Sequence, residues 1–288
     1  MALVGRVKRS LRLRTRVYWR SPWANGVYRS AARAVIVGGC YRSGTTLMRA
    51  ILDSHPHIAM GPESWLFVYR PDYGSLAADY DLPISYVMDL HRRSTCLANF
   101  IDLFFEAYAQ RRGKTKWGEK SPPNVLRLPW IWQRFPNARF IHMVRDGRDV
   151  ICSMRSQHRR LVAEGFGTEL KGFDECLRWW ISCVRAGIRW RGDPRYLEVK
   201  YEELVTGLRN TMARVLDFLG EPWSDEVIRA HEVQRNHPHI GYERGTPEVR
   251  EPIFQSSMGR WRKDLPMHEA KRFSQRAEML LQRLGYTR

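Results

Sequence analysis

A glycine-rich segment near the start of the chain carries side chains suited to binding phosphate. Residues 38–46 read GGCYRSGTT, between the apolar residues 34–37 and a helical pattern of apolar residues. Glycines let the backbone approach a phosphate closely, and the N-terminus of the following helix presents positive potential. An ordinary strand-to-helix turn would use the same glycines for geometry alone. The predicted phosphate-binding residues are Arg42, Ser43, Gly44, Thr45 and Thr46.

A second segment of the same kind favours phosphate binding over a simple turn. Residues 138–146 form an apolar strand pattern that Arg145 closes, and residues 147–153 begin a helix. Ser153 lies two helical turns beyond Arg145 and returns to the same side of the element. A guanidinium and a hydroxyl can therefore converge on one phosphate. Two phosphate sites indicate a nucleotide with two separate phosphates.

The order of apolar segments predicts an α/β fold. Helical periodicity covers residues 173–188 and 208–219, the second ended by Gly220 and Pro222, and residues 196–199 form a strand between them. Strands that alternate with helices predict a P-loop-type parallel sheet flanked by helices on both faces. Ligands of such sheets gather at the carboxyl ends of the strands, where both phosphate motifs lie.

Here the chain resembles the sulfotransferase superfamily. YRSGTT and VRDGRDVICS match its 5′-phosphosulfate loop and 3′-phosphate motif in kind, order and separation, and RSGTTLMRAILDSHPHIAMGPES is most similar to the protein-tyrosine sulfotransferases. The resemblance covers residues 34–263. It implies a sulfotransferase fold and an enzyme of class 2.8.2. Its donor would be 3′-phosphoadenosine-5′-phosphosulfate, its product 3′-phosphoadenosine 5′-phosphate, and its acceptor a hydroxyl or an amine.

The resemblance also implies two catalytic residues. Glu63 stands where the tyrosine sulfotransferases carry their catalytic base. Lys120, in WGEKSP, stands where the family has a lysine that stabilises the bridging oxygen as the sulfur–oxygen bond breaks. Without the resemblance, Glu63 reads as a helix N-terminal carboxylate or a surface ion-pair partner. His55 and His57 compete as bases but are expected to end the first helix. Glu119 is expected as an ion-pair neighbour of Lys120.

Residues near the C-terminus are expected to cover the nucleotide. Residues 256–263 read SSMGRWRK, and Arg260 is predicted to contact the donor. Gly259 stands where the similar family motif has a serine, so Ser257 is assigned the role of aiding the leaving phosphate. Tyr201 matches a family tyrosine that contacts the nucleotide, and it equally fits a buried tyrosine at a strand end.

The acceptor is expected to be recognised by residues 64–116, which match the family least. This segment is rich in aromatic residues, which can stack on sugars or phenols but can equally pack a helical subdomain. Peptides, glycans, glycolipids and small natural products with a hydroxyl group all stay open as acceptors. The aromatic residues include Trp65, Phe67, Tyr69, Tyr73, Tyr80 and Tyr86.

Charge divides the chain into a tail and a domain. The net charge of the 288 residues is +18, and half of it comes from residues 1–33, which hold nine Lys or Arg and no acid. Cations interleaved with apolar residues suit peripheral contact with an anionic membrane, and equally a disordered basic tail or an organelle transit segment. Residues 34–288 are predicted to form one catalytic domain.

Several features limit the cellular and chemical setting. No apolar run is long enough for a membrane span or a secretory signal, so the cytoplasm is the expected compartment. The five cysteines lack Cys-x-x-Cys spacing, which favours buried reduced thiols. No metal is expected, since cationic side chains would neutralise the phosphates. A homodimer is expected from the family alone.

Two other functions compete with sulfuryl transfer. A P-loop kinase or nucleotide hydrolase would use the same loop, but Thr45 replaces the lysine that clasps phosphate there. A non-enzymatic basic protein that binds nucleic acid or membrane would explain the isoelectric point near 10.2. Such a binder has no need of two phosphate motifs. Sulfuryl transfer is therefore preferred over nucleic-acid binding, and Thr45 makes it preferred over nucleotide hydrolysis as well.

Overall fold

Five parallel strands form the sheet of this protein. The computed structural model describes residues 22–163, 172–235 and 251–286. The strand order across the sheet is β2-β3-β1-β4-β5, so the chain crosses over repeatedly to keep all strands parallel. The strands are β1 (Val35–Gly39), β2 (Ile58–Met60), β3 (Lys116–Lys120), β4 (Arg139–Val144) and β5 (Tyr196–Lys200).

Helices connect the strands and surround the sheet. Short 3₁₀ helices lie at Pro122–Arg127 and Asp225–Val227. The α-helices within the described residues are α1 (Pro22–Asn25), α2 (Thr45–Ser54), α3 (Tyr73–Asp79), α4 (Ile84–Arg93), α5 (Leu97–Arg111), α6 (Leu128–Arg134), α7 (Gly147–Ala163), α8 (Phe173–Ile188), α9 (Tyr201–Thr206), α10 (Leu208–Leu219), α11 (Ala230–Arg235), α12 (Trp261–Asp264) and α13 (Met267–Arg283).

Each face of the sheet packs against its own hydrophobic cluster. Ile36 of β1 belongs to the larger cluster with Trp180 of α8, whereas its neighbours Val35 and Val37 belong to the smaller one with Ile51 of α2. Successive strand residues point to opposite faces, so an unbroken apolar run fits a strand that is covered on both sides. The predicted α/β fold with helices on both faces is confirmed.

The strand register brings four loops to one edge of the sheet. Val37 of β1 pairs with Lys120 of β3, and Gly39 pairs with Met143 of β4. Met60, the last residue of β2, pairs with Gly118. The carboxyl ends of β1, β2, β3 and β4 therefore lie side by side, as expected for a parallel sheet. The residues predicted to bind and react follow directly from these ends.

The predicted periodic helices are confirmed. Phe173–Ile188 and Leu208–Leu219 are helical, and strand Tyr196–Lys200 lies between them in the chain. Gly220 caps α10 with a left-handed φ of 65°. Glycine adopts this conformation without a Cβ penalty, which is why the helix ends there.

Residues 64–116 form a mostly helical layer over the edge of the sheet that carries β2 and β3. Tyr80 is 3% exposed, lies against Phe104 and Tyr108, and donates a hydrogen bond from its hydroxyl to the carbonyl of Pro62 at 2.7 Å. Tyr73 packs against Phe100. These rings have the packing role that the sequence left open, so only part of the aromatic segment can face an acceptor.

The described part of the N-terminal region contacts the rest of the protein. The backbone N–H of Ser30 donates to the carbonyl of Arg134 at 2.8 Å, and Trp23 packs edge-on against His91. Residues 1–21 lie outside the described residues, so the basic membrane-contacting tail stays a prediction. Across residues 22–163, 172–235 and 251–286, none of the helices combines the length and apolarity of a bilayer span.

All five cysteines are buried and free of disulfides. They are Cys40, Cys96, Cys152, Cys176 and Cys183. Burial raises the pKa of the Cys152 thiol to about 11, which keeps it protonated near neutral pH. The expectation of buried thiols is confirmed for all five.

Gly44 provides a test of how the phosphate loop is held. Its φ is +85°, and a Cβ would lie 2.6 Å from Cδ2 of Tyr201. We expect Gly44→Ala to combine backbone strain of about 1–2 kcal/mol with a clash against that ring. Gly113→Ala is the matched control, because Gly113 has φ +65° with nothing within 4 Å. Urea unfolding should show a larger loss of unfolding free energy for Gly44→Ala than for Gly113→Ala. Equal losses would contradict close packing of the loop against Tyr201.

Candidate active site

A buried ammonium joins three of the segments at the sheet edge. Lys120 is fully buried at the end of β3. Its Nζ donates to Oγ1 of Thr46 at 3.0 Å and to Oε1 of Glu63 at 2.8 Å. Thr46 lies in the first turn of α2, and Glu63 follows β2. The structure therefore brings the predicted base, the predicted lysine and the phosphate loop into direct contact.

The phosphate loop presents polar groups at the N-terminus of α2. Thr45 begins the helix, and Gly44 precedes it in a left-handed conformation. The Ser43 hydroxyl is buried and has no hydrogen-bond partner among the described residues. A buried polar atom without a partner is costly unless a ligand or water satisfies it. An anion bound at the loop would accept a hydrogen bond from this hydroxyl.

Arg145 connects the phosphate loop to the C-terminal part of the chain. Its guanidinium donates to the carbonyls of Arg42 at 3.1 Å and Ser257 at 2.6 Å. It also stacks on the ring of Tyr201, 4.3 Å from the centroid. Its Nε is buried without a hydrogen-bond partner among the described residues. The guanidinium is thus held in one orientation while retaining a donor for an anion.

A hydrogen bond between Arg42 and Ser153 joins the two predicted phosphate motifs. The Arg42 Nε donates to the Ser153 hydroxyl at 3.0 Å, across more than one hundred residues of sequence. Arg42 itself has a positive φ of 67°, which is uncommon for a residue with a Cβ. A backbone in such a conformation persists where its surroundings hold it, and here the Arg42 carbonyl is held by Arg145.

The segment that contains Ser257 and Arg260 forms one wall of the site. The buried carboxylate of Asp149, in α7, accepts hydrogen bonds from the backbone N–H groups of Gly259 at 2.7 Å and Trp261 at 2.9 Å. Arg148 lies over the Trp261 ring at 4.0 Å. Burial raises the pKa of Asp149, while the two N–H groups act in the opposite direction. This anchor brings the wall to the helix that carries Ser153.

Ser257 and Arg260 have different partners within this wall. Ser257 uses its carbonyl to accept from Arg145, whereas Arg260 donates to Asp264 at 2.7 Å and to the hydroxyl of Ser156 at 3.0 Å. Both line a cleft with a cavity volume of about 180 Å³. The predicted residues that share this cleft with them are Arg42, Gly44, Thr45, Thr46, Arg145, Ser153 and Tyr201.

Aromatic rings lie beside the Glu63 end of the site. Tyr41, in the phosphate loop, stacks on Trp179 of α8 with ring centroids 5.5 Å apart. It also lies 6.1 Å from the ring of Trp65, which in turn lies 5.7 Å from Tyr69. Burial, and then the nearby Tyr69 and Glu63, raise the pKa of Tyr41. We call these four rings the aromatic wall.

The two histidines that precede β2 have structural roles. His55 caps α2, and its Nδ1 accepts from the backbone N–H of His57 while Nε2 lies 2.9 Å from the carbonyl of Pro222. His57 pairs with Glu221 at 2.8 Å. These three residues form the candidate metal cluster found among the described residues, but both nitrogens of His55 are already occupied. The prediction that the histidines end the first helix is confirmed.

The parallel sheet, the glycine loop and the cations that line the cleft define an α/β protein with a cationic cleft at the carboxyl ends of its strands. A profile of the sulfotransferase family matches residues 34–225. The protein-tyrosine sulfotransferase of Drosophila melanogaster is 31% identical over 278 residues, covering 88% of this chain. The match covers 51% of that relative, so this chain spans about half of its length. The chain belongs to the sulfotransferase family.

Solved structures with the same architecture agree. The sulfotransferase domain from the curacin biosynthetic pathway has a TM-score of 0.64 at 16% identity, covering 87% of this chain and 98% of that domain. A mouse sulfotransferase complexed with PAP has a TM-score of 0.58 at 13% identity, covering 88% of this chain and 86% of that protein. The likeness confirms the sulfotransferase fold.

The roles of some residues around the site were not predicted from the sequence. Glu119 read as a neighbour of Lys120, yet its carboxylate is buried among Ser64, Ser121 and Asn124. Asp149 was not singled out as an anchor for the C-terminal wall. The signal that could have indicated the role of Glu119 is its position within the strand sequence KWGEK, residues 116–120. A charged residue inside an interior strand needs partners within the protein.

Proposed function

We propose that this protein transfers the sulfuryl group of 3′-phosphoadenosine-5′-phosphosulfate to a hydroxyl acceptor. The observation that carries the proposal is the contact of Lys120 with both Glu63 and Thr46, at 2.8 and 3.0 Å. It puts a carboxylate, an ammonium and a phosphate loop at one point. In-line transfer needs a base, a charge that stabilises the leaving oxygen and a fixed donor there.

The residues present fit the donor. The loop residues Ser43 to Thr46 would hold its 5′-phosphosulfate, since the Ser43 hydroxyl is buried without a partner among the described residues. Arg145 and Ser153 would hold the 3′-phosphate, with Arg42 beside them. Tyr201, Ser257 and Arg260 line the same cleft and would enclose the nucleotide. The donor supplies the activated sulfur–oxygen bond.

Glu63 would act on the proton of the acceptor hydroxyl, and Lys120 on the charge that develops on the leaving oxygen. Glu63 would accept the proton of the acceptor hydroxyl as its oxygen bonds to sulfur. The bond from sulfur to the bridging oxygen breaks, and its electron pair stays on the 5′-phosphate. Lys120 would donate a hydrogen bond to that oxygen. Because Lys120 already contacts Thr46, little movement would bring it to a phosphate in the loop. We propose that these steps need no metal.

We further propose that the acceptor hydroxyl is phenolic, including that of a tyrosyl peptide. Curated relatives carry the name protein-tyrosine sulfotransferase, and the aromatic wall beside Glu63 offers faces on which a phenol ring can stack. Trp65 is only two residues from Glu63 and has a left-handed φ of 60°. The proposed cytoplasmic location and membrane contact rest on the sequence alone, and the proposed homodimer rests on the family alone.

Arg145 provides the test of the donor. We expect calorimetry to show selective binding of 3′-phosphoadenosine 5′-phosphate over adenosine 5′-phosphate and over adenosine triphosphate with magnesium. Arg145→Ala should weaken only the 3′-phosphorylated ligand, by roughly 10- to 100-fold for the loss of charged hydrogen bonds. Arg214→Ala is the control, because Arg214 forms an exposed pair with Glu203. Preference for the triphosphate would instead indicate a kinase or a nucleotide hydrolase.

Glu63 provides the test of the chemistry. We expect Glu63→Gln to retain binding of 3′-phosphoadenosine 5′-phosphate and to lower the rate of transfer about 10²- to 10⁴-fold, since an amide cannot take the proton. Single-turnover transfer of labelled sulfate measures this rate, with exposed Glu226→Gln as the control. Transfer at the normal rate would mean that another group acts as base.

Trp65 provides the test of the acceptor. Trp65→Ala should raise KM for a phenolic acceptor about 3- to 10-fold, as expected for one lost aromatic contact, without changing nucleotide affinity. The matched control is Tyr86→Ala, because Tyr86 lies in the same segment and is 40% exposed. Steady-state rates with a phenol, an aliphatic alcohol and a tyrosyl peptide measure the preference. An unchanged KM for the phenol would remove the aromatic wall from the acceptor site.

A further inference from the structure

Glu119 is a buried carboxylate that contacts no part of the donor cleft directly. It is 1% exposed, in the interior strand β3, on the opposite face from Lys120 because strand residues alternate. A charge in this position is strongly disfavoured unless hydrogen bonds compensate its lost hydration. Its partners therefore indicate what the carboxylate does.

The first partners of Glu119 belong to the segment that carries Glu63. Its Oε1 accepts from the hydroxyl of Ser64 at 2.8 Å, and Ser64 directly follows Glu63. The backbone N–H of Ser64 points to the same oxygen at 3.4 Å. On the other side of Glu63, the carbonyl of Pro62 accepts from Tyr80 at 2.7 Å. The backbone around the proposed base is thus fixed before and after it.

The second set of partners belongs to the segments of Lys120 and the phosphate loop. The hydroxyl of Ser121 donates to Oε1 of Glu119 at 2.6 Å and accepts from the backbone N–H of Trp65 at 3.1 Å. The amide of Asn124 donates to Oε2 of Glu119 and to the carbonyl of Val37 at 3.2 Å. Val37 lies in β1, just before the loop.

We propose that Glu119 is a positioning residue, whose carboxylate joins the Glu63 segment to the end of the Lys120 strand and, through Asn124, to the strand before the phosphate loop. The proposal rests on the proposed function for its effect on rate but not for its effect on structure. Burial raises the pKa of Glu119, and the hydrogen bonds from Ser121, Asn124 and Ser64 act in the opposite direction. The group is a cross-link inside the protein and does not touch the reacting atoms.

The substitution Glu119→Gln separates this role from simple packing. It keeps the size of the side chain but turns an amide N–H₂ towards a donor, whether that donor is Asn124 or a serine hydroxyl. Asp102→Asn is the matched control. Asp102 is also buried and accepts from Trp117 of the same strand at 3.2 Å and from Tyr28 at 2.6 Å. Within the described residues, its hydrogen-bond partners include neither Ser64 nor Ser121.

Two readouts test the proposal. In Glu119→Gln, amide hydrogen exchange of the segment 61–67 should speed up at least tenfold, and not in Asp102→Asn, if the carboxylate anchors it. The transfer rate should fall at least tenfold, with affinity for 3′-phosphoadenosine 5′-phosphate changed less than threefold. In the Glu63→Gln background, Glu119→Gln should lower the transfer rate less than threefold, because that background has no base left to be displaced.

The outcomes distinguish the proposal from the function on which it rests. Unchanged amide hydrogen exchange of segment 61–67 in Glu119→Gln would overturn the positioning role. So would a loss of transfer rate that is as large in the Glu63→Gln background as it is with Glu63 present. Absence of transfer in the wild type with accelerated exchange in Glu119→Gln would refute sulfuryl transfer but retain the anchor. If Glu119→Gln does not fold, Ser121→Ala removes one donor of the network and should give the same exchange pattern on a smaller scale.

Discussion

The buried ammonium of Lys120 is the contact around which the rest of the site is arranged. A fully buried cation is stable only with close partners, and here the partners come from two other segments, Glu63 and Thr46. The lysine lies at the end of an interior strand, where the ladder pairs it with Val37 of β1. The parallel sheet thereby sets the distance between base and phosphate loop.

Two supports outside the cleft keep this arrangement in place. On one side the carboxylate of Glu119 gathers the segments after β2 and β3, and on the other the carboxylate of Asp149 holds the C-terminal wall against α7. Both carboxylates are buried and accept several N–H or O–H groups. Charged acceptors with multiple donors make stronger and more directional bonds than neutral ones. Buried carboxylates therefore hold the segments around the cleft in place, whereas arginine side chains line it.

The sequence predicted the parts of the site that depend on local spacing. The phosphate loop, the Arg145 strand end and the Gly220 helix stop each follow from residues close together in the chain, and each is present in the structure. Contacts between distant residues were beyond such reasoning. Glu119 meets Ser64 across 55 residues, and Asp149 meets Gly259 across 110. Tyr73 and Tyr80 were grouped with Trp65, although Tyr80 is buried in a hydrophobic core and Tyr73 packs against that core.

The burial of every cysteine has a practical consequence for spectroscopy. Because the five thiols are enclosed and that of Cys152 is protonated near neutral pH, maleimide reagents should react slowly with the native protein. A single cysteine introduced at Met279, which is 71% exposed on α13, would then be the preferred point of attachment for a fluorophore. Such a label would report on the protein in solution without a cysteine-free background.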